Sequence, residues 1–306
     1  MLSWDKTPAL FPMRCCRAWV EIDLAAIAHN VGQLKALLPP ETAFMAVVKA
    51  DAYGHGAIAV ARTALEAGAS WLGVATVPEG IELRQAEIAA PILVMGAVND
   101  PAEVRAIAHW HLQPTIVNPK QALVFSETLA SEALASAAPA TAEGSLPVHL
   151  KLDTGMSRLG FDWRQAVEFA RFVQQLPHLE TASVYSHLAT ADSPDLTTMV
   201  LQHQRYEFAI AALKRENLLP PKLHLANSAA TLATALAKSQ LPRAAARSDQ
   251  PSALYYDMVR VGLATYGLYP APHLQATVDL RPALSVKARI THIKTINAGD
   301  GVSYGH

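Results

Sequence analysis

Four basic side chains stand at or just beyond the ends of apolar, β-favouring runs, where a folded chain can hold a cation beside a ligand. Lys49 closes the run AFMAVV and is followed by Ala-Asp-Ala-Tyr-Gly-His-Gly. A lysine at a buried strand end, partly stripped of water, has a depressed pKa and can attack an aldehyde as the neutral amine. The ordinary alternative is a lysine that buries its stem and keeps its head wet. Lys151 and Arg158 share the segment KLDTGMSRLG, which brings two cations to one strand end. Arg260 ends another strand in Arg-Val-Gly262, where the glycine permits close backbone approach.

Polar partners stand at the remaining strand ends. Tyr185-Ser-His187 closes one run, and Asn227-Ser228-Ala-Ala follows another and opens a helix. There Asn227 or Ser228 can cap while unpaired backbone N–H groups face an anion. Taken singly, Asn227-Ser228 is an ordinary helix cap, His187 a satisfied core histidine and Arg260 a structural ion-pair partner. Jointly they offer a phosphate cradle, a ring-stacking imidazole, a guanidinium and an aldehyde-reactive amine. Few cofactors besides pyridoxal 5'-phosphate fit that combination. The adjacent pair Cys15 and Cys16 suits neither a disulfide framework nor a metal site, so no metal is expected.

Short apolar runs alternating with helix-period segments must position these groups. The expected strands are 44–49, 71–75, 92–95, 114–117, 148–153, 183–188, 222–226 and 258–262. Eight such runs separated by helices predict an α/β fold, a (β/α)8 TIM-type barrel followed by the beginning of a C-terminal β domain. Helices are expected at 25–38, 55–67, 79–86, 163–175, 196–215 and 228–237. The Pro/Ala/Ser-rich stretches at 131–147 and 239–254 read as surface insertions. Residues 1–17 read as a flexible extension, 18–280 as the barrel, and 281–306 as an incomplete β domain, because one or two strands cannot bury a core. The chain has 25 basic and 26 acidic residues with no block of one sign, which argues against a nucleic-acid or membrane partner. With no apolar leader and no spanning stretch, a cytoplasmic protein with a small-molecule partner is expected.

The ordered stretches WVEIDLAAIAHN, AVVKADAYGHG, LKLDTGMSRLGF, SHLATAD, HLANSAA, DMVRVGLATYGLYP and GVSYG resemble the alanine racemase family over residues 18–306. The resemblance implies a pyridoxal-phosphate barrel joined to a β domain, working as a homodimer that racemises alanine and supplies D-alanine for peptidoglycan. It implies that Lys49 anchors the cofactor and serves as one acid/base group, and that Tyr304 of the partner subunit is the other. Tyr53, Asn227, Ser228, Gly262 and Leu263 are implied as phosphate contacts. Arg158 would lie beside the cofactor phenolate and the substrate carboxylate, and Lys151 matches a lysine often carbamylated in the family. His187 would stack near the pyridine ring, and Arg260 would face the pyridine nitrogen.

Racemisation needs a proton taken from one face of the α-carbon and another delivered to the opposite face, which suits a pair such as Lys49 and Tyr304. A guanidinium opposite the ring nitrogen weakens the ring as an electron sink and disfavours transamination. The competing readings are a non-catalytic cofactor carrier, an inactive fragment, and a decarboxylase on the same barrel. Arg260 and Tyr304 weigh against the decarboxylase, and the continuation through GVSYG weighs against the carrier.

Overall fold

A computed structural model describes residues 16–136, 144–240 and 254–305. Most of the 1–17 extension and of the 239–254 stretch lies outside them. Contacts divide the chain into two units, Leu24–Ala283 and a smaller one formed by residues 16–23 and 284–305.

The smaller unit is an antiparallel pair. Strand β1 (Ala18–Ile22) runs against β11 (Leu284–Ala288) with Ala18 opposite Ala288 and Ile22 opposite Leu284. This corrects the boundary expected at residue 18. The first strand pairs with the C-terminal segment, and the barrel unit opens at the helix starting with Leu24. An alternating pattern does not name its partner, so the sequence alone did not place this strand.

The larger unit is a closed parallel barrel. Its strands are β2 (Ala43–Val47), β3 (Trp71–Val74), β4 (Ile92–Ala97), β5 (Gln113–Ile116), β6 (Leu146–Asp153), β8 (Leu179–Tyr185), β9 (Lys222–His224) and β10 (Met258–Val261). Neighbours pair in that order, and β10 returns to β2 with Met258 opposite Ala43. A two-residue strand, β7 (Phe161–Asp162), lies beside β6. The eight barrel strands are those expected from the sequence.

The outer helices follow from local signals. Helix α1 (Leu24–Ala36) buries Ile27, Asn30, Val31 and Leu34 along one stripe. Asn30 is satisfied there: its Nδ2 donates to the carbonyls of Thr265 and Arg281, and its Oδ1 accepts from Arg281 N. Next come α2 (Ala57–Glu66), α3 (Val77–Gln85) and α4 (Pro101–His109). Thr76 and Glu79 form a capping box on α3, and Asp100 caps α4 before a proline at its first position. Helix α5 (Pro119–Ser136) is followed by α6 (Ala166–Gln174), α7 (Thr197–Arg215) and α8 (Ser228–Gln240). The expected insertion at 131–147 is corrected at both ends, since α5 continues to Ser136 and β6 begins at Leu146. Its alanines are good helix formers, and the helix-side packing of Phe125 and Leu129 carries the helix onward.

Alternate residues of each strand face opposite sides of a barrel wall. On β6, Val148, Leu150 and Leu152 join the large core under the helices, whereas His149 and Lys151 are the buried polar alternates. A separate apolar cluster of Met45, Leu93 and Met258, flanked by Trp71 and Met95, fills part of the interior. The interior is therefore divided. Apolar side chains come from β2, β3, β4 and the start of β10, and polar ones come mainly from β5, β6, β8 and β9.

Candidate active site

Lys49 stands two residues past the end of β2, half-buried, and the backbone after it does something the sequence does not advertise. Ala50, Asp51, Ala52 and Tyr53 all adopt left-handed conformations, with φ between 51° and 54°. Each such non-glycine residue is disfavoured by roughly 1–2 kcal/mol, so surrounding groups must hold the turn. Glu79 Oε1 accepts from Ala50 N at 2.8 Å, while its Oε2 accepts from Ala75 N at 2.7 Å and Thr76 N at 3.2 Å. Asp51 Oδ1 accepts from Ala57 N at 2.7 Å and fastens the far end of the turn to α2. The turn that carries Lys49 is thus tied to the end of β3 on one side and to a helix start on the other. Such strain collects at functional sites when its surroundings over-determine it.

A cleft of about 490 Å³ opens at this rim. It gathers Lys49, Tyr53, Lys151, Arg158, His187, Asn227, Ser228, Arg260, Gly262 and Leu263. Ten of the residues singled out from the sequence therefore come together. Tyr304 belongs to the smaller unit, where its side chain is fully exposed.

The floor is organised around Arg260, which is 3 % exposed. Its Nη1 donates to His224 Nδ1 at 2.9 Å. Its Nη2 donates to the carbonyls of Ser186 (2.6 Å) and Leu225 (3.1 Å) and approaches His187 Nδ1 at 3.3 Å. These partners are carbonyls and imidazoles rather than a carboxylate, so the ion pair that Arg260 suggests taken singly is not its arrangement. Burial lowers its guanidinium to about 10, which leaves it cationic at neutral pH. Burial, then the charges of Arg260 and Lys151, hold His187 down to about 3, so it is neutral and can accept. Tyr185 lies flat against His224, with ring centroids 4.6 Å apart, and Lys151 Nζ and Arg260 stand 5.5 Å and 5.0 Å from its ring.

Lys151 is the deeply buried amine of the site. Desolvation lowers it to about 8, and the positive charges of Arg260 and Arg158 add to the shift. Asp192 is the one carboxylate among the lining residues. A cleft carrying Lys49, Lys151, Arg158 and Arg260 against a single acid is built for an anion.

The helix start at Ser228 also suits an anion. Asn227 Oδ1 accepts from Ala230 N at 3.0 Å and so caps α8, whose N-terminus lines the cleft. Ser228 Oγ accepts from Gly262 N at 3.0 Å and Ala264 N at 3.3 Å, joining that helix start to the segment after β10. A Cβ at position 262 would stand 2.8 Å from Tyr53 Oη, so glycine is what lets the phenol close over this backbone. An amine, a helix N-terminus joined to Gly262 and buried cations lining one cleft suit an anionic aldehyde.

Sequence reasoning did not single out Glu79, Gln113, His149, Ser183 or His224. For His149 and Ser183 the signal was the alternation in V-H-L-K-L-D and S-V-Y, where polar and apolar residues take turns. Reading these strands only for apolar runs passed over it.

A closed parallel barrel whose C-terminal rim presents an amine and an anion cradle defines a class of barrel enzymes that act on small anionic substrates. Residues 22–270 match the model of the alanine racemase N-terminal domain. The alanine racemase of a Nostoc species is 62% identical over 290 residues, covering 95% of this chain and 69% of that protein. The one from a Synechocystis species is 56% identical, covering 95% and 71%. Among solved structures, alanine racemase from Clostridium difficile 630 superposes with a TM-score of 0.79 at 30% identity, covering 95% of this chain and 69% of that one. The enzyme from D-cycloserine-producing Streptomyces lavendulae gives 0.79 at 34% identity, covering 94% and 69%. The chain belongs to the alanine racemase family and is accordingly an isomerase.

Proposed function

We propose that the chain interconverts L- and D-alanine with pyridoxal 5'-phosphate in the barrel cleft, Lys49 as its covalent anchor and Tyr304 of a second copy as the opposing acid/base group. The observation that carries this reading is the placement of Lys49 on a rigidly tied turn beside a helix N-terminus and the buried Arg260. The cofactor, when bound, withdraws electron density from the substrate's α-carbon and makes its proton acidic.

The residues then divide the work. Tyr53, Ser228, Gly262 and Leu263, with Asn227 capping the helix start, hold the phosphate. Arg158, exposed at the mouth, meets the incoming carboxylate. Arg260 offers a fixed positive N–H to the ring nitrogen, and neutral His187 flanks the ring. Lys151, neutral in a substantial fraction near its pKa of about 8, can take up carbon dioxide as a carbamate. The resulting anion would offset the surrounding cations and orient Arg158. Lys49 Nζ takes or returns the α-proton on one face, and Tyr304 Oη does so on the other, which requires a homodimer. D-Alanine for peptidoglycan and a cytoplasmic setting complete the reading. It is supported by balanced charge and by the lack of any helix long and apolar enough to cross a membrane among the described residues.

The test is reduction of the cofactor-loaded protein with borohydride followed by peptide mapping, alongside a polarimetric assay with L-alanine. A pyridoxyl group on Lys49 and loss of racemisation in Lys49→Ala are expected. A pyridoxyl group on another side chain would overturn the reading.

A further inference from the structure

The polar half of the barrel interior contains a chain of hydrogen bonds that starts at Arg260 and ends at Gln113. Arg260 Nη1 meets His224 Nδ1 at 2.9 Å, and His224 Nε2 meets Ser183 Oγ at 2.9 Å. Ser183 Oγ meets His149 Nδ1 at 2.6 Å, and His149 Nε2 meets Gln113 Oε1 at 2.7 Å. The path crosses five strands, β10, β9, β8, β6 and β5. His149, Ser183 and His224 have no exposed surface.

Its direction is fixed from one end. A guanidinium has only donors, so His224 Nδ1 must accept. Burial, Arg260 and His149 hold His224 well below the usual imidazole range, so it is neutral and carries its single proton on Nε2. That proton goes to Ser183, whose own proton has His149 Nδ1 to go to. His149, lowered to about 3 by burial, is likewise neutral and carries its proton on Nε2, facing the Gln113 carbonyl oxygen. Turning the Gln113 amide round would make His149 donate to Ser183 instead. The Ser183 hydroxyl would then face two donors, leaving its own proton without this acceptor.

We infer that Gln113, His149 and Ser183 are positioning residues, a one-way hydrogen-bond relay that locks the tautomer of His224 and thereby the orientation of the Arg260 guanidinium at the cleft. Free imidazole can place its proton on either nitrogen, and His224 protonated on Nδ1 would point an N–H at the guanidinium. Arg260 and the relay remove that choice together, the guanidinium by donating to Nδ1 and the relay by giving Nε2–H a buried acceptor in Ser183. The inference rests on the proposed function only in assigning Arg260 to the cofactor ring.

The experiment is nitrogen-15 NMR of the cofactor-free full chain labelled at histidine, with Ser183→Ala, Ser183→Thr and Gln113→Leu beside the wild type. His149 and His224 should both be protonated on Nε2 in the wild type. Ser183→Ala should lose the single tautomer at His224 and weaken pyridoxal-phosphate binding by about ten-fold, the scale of one hydrogen bond to a charged group. Ser183→Thr, which keeps the hydroxyl, should restore both. Gln113→Leu, a change at the half-buried end, should free the tautomer of His149 and keeps the test open if Ser183→Ala does not fold. Either histidine protonated on Nδ1 in the wild type, or an unchanged His224 tautomer in folded Ser183→Ala, would overturn the relay. The tautomers are read without cofactor. A missing pyridoxyl group on Lys49 would therefore sink the proposed function while leaving this result standing.

Discussion

Glu79 Oε1 accepts the backbone N–H of Ala50 at 2.8 Å, one residue beyond Lys49, while its other oxygen holds the end of β3. A helix-capping carboxylate therefore also sets where Lys49 stands. Glu79→Ala frees three backbone donors beside four strained residues, and a loss of about 1–3 kcal/mol in stability follows from the donors alone. Activity should fall further than stability, by ten-fold or more in kcat, because the turn can relax. Glu79→Gln keeps one acceptor oxygen and should recover part of both. Thermal melting and kcat measured together check this, and a Glu79→Ala variant with wild-type kcat would refute it.

Gly262→Ala tests the phosphate end. The added methyl would come within 2.8 Å of Tyr53 Oη, and it sits on backbone that Ser228 already holds. The phenol can swing aside because Tyr53 is 40 % exposed, so the protein should fold. Affinity for pyridoxal phosphate should drop about ten-fold or more for the loss of one charge-assisted contact. Titration of the cofactor-free protein followed by absorbance reads the change. Unaltered affinity would remove Tyr53 and Gly262 from the cradle.

Lys151 sets an alkaline pH dependence. In its unmodified form it titrates near 8 when folded and near 10.5 when unfolded, because desolvation and the Arg260 and Arg158 charges oppose its protonation. Between those values the unfolded chain binds a proton that the folded chain lacks, so stability rises with pH across that window. Lys151→Met should flatten the rise. Carbamylation, which needs the neutral amine, should increase at fixed carbon dioxide pressure as pH passes 8. Native mass spectrometry reads that modification directly, and its absence from pH 7 to 9 would argue against a carbamate.

The barrel was legible because its strands are short β-favouring runs, apolar or alternating, separated by helix-period segments, and periodicity reports that directly. Lys49, Lys151 and Arg260 were legible because strand ends meet at one rim whatever lies between them. The left-handed turn was not, since Ala50, Asp51, Ala52 and Tyr53 are not glycines and their conformation is held by Glu79 from outside and by the Asp51 side chain reaching Ala57 N. Nor was the pairing of Ala18–Ile22 with Leu284–Ala288, because a short alternating strand carries no label for its partner. The pairing of Ser183 with His149 lay between these cases. The alternation was present in the sequence, but the direction of the hydrogen bonds came only from the closed geometry.

The buried imidazoles predict the acid limb. His149 and His187 are held to about 3 and His224 well below its usual range, in each case first by desolvation. Their folded pKa values lie below the unfolded value of about 6.5, so the unfolded chain takes up protons first as pH falls. The stability they contribute is fully present above about pH 6.5 and is lost progressively towards pH 3. The loss approaches about 1.4 kcal/mol per pH unit for each histidine. Denaturation midpoints taken at intervals from pH 7 to 4.5 should fall steeply. His149→Gln, which keeps an acceptor and a donor in the interior without a titrating ring, should fall less steeply. Midpoints that hold level to pH 4.5 in the wild type would mean that these imidazoles accept protons without unfolding the barrel, and the one-way direction of the Arg260 relay would fail with them.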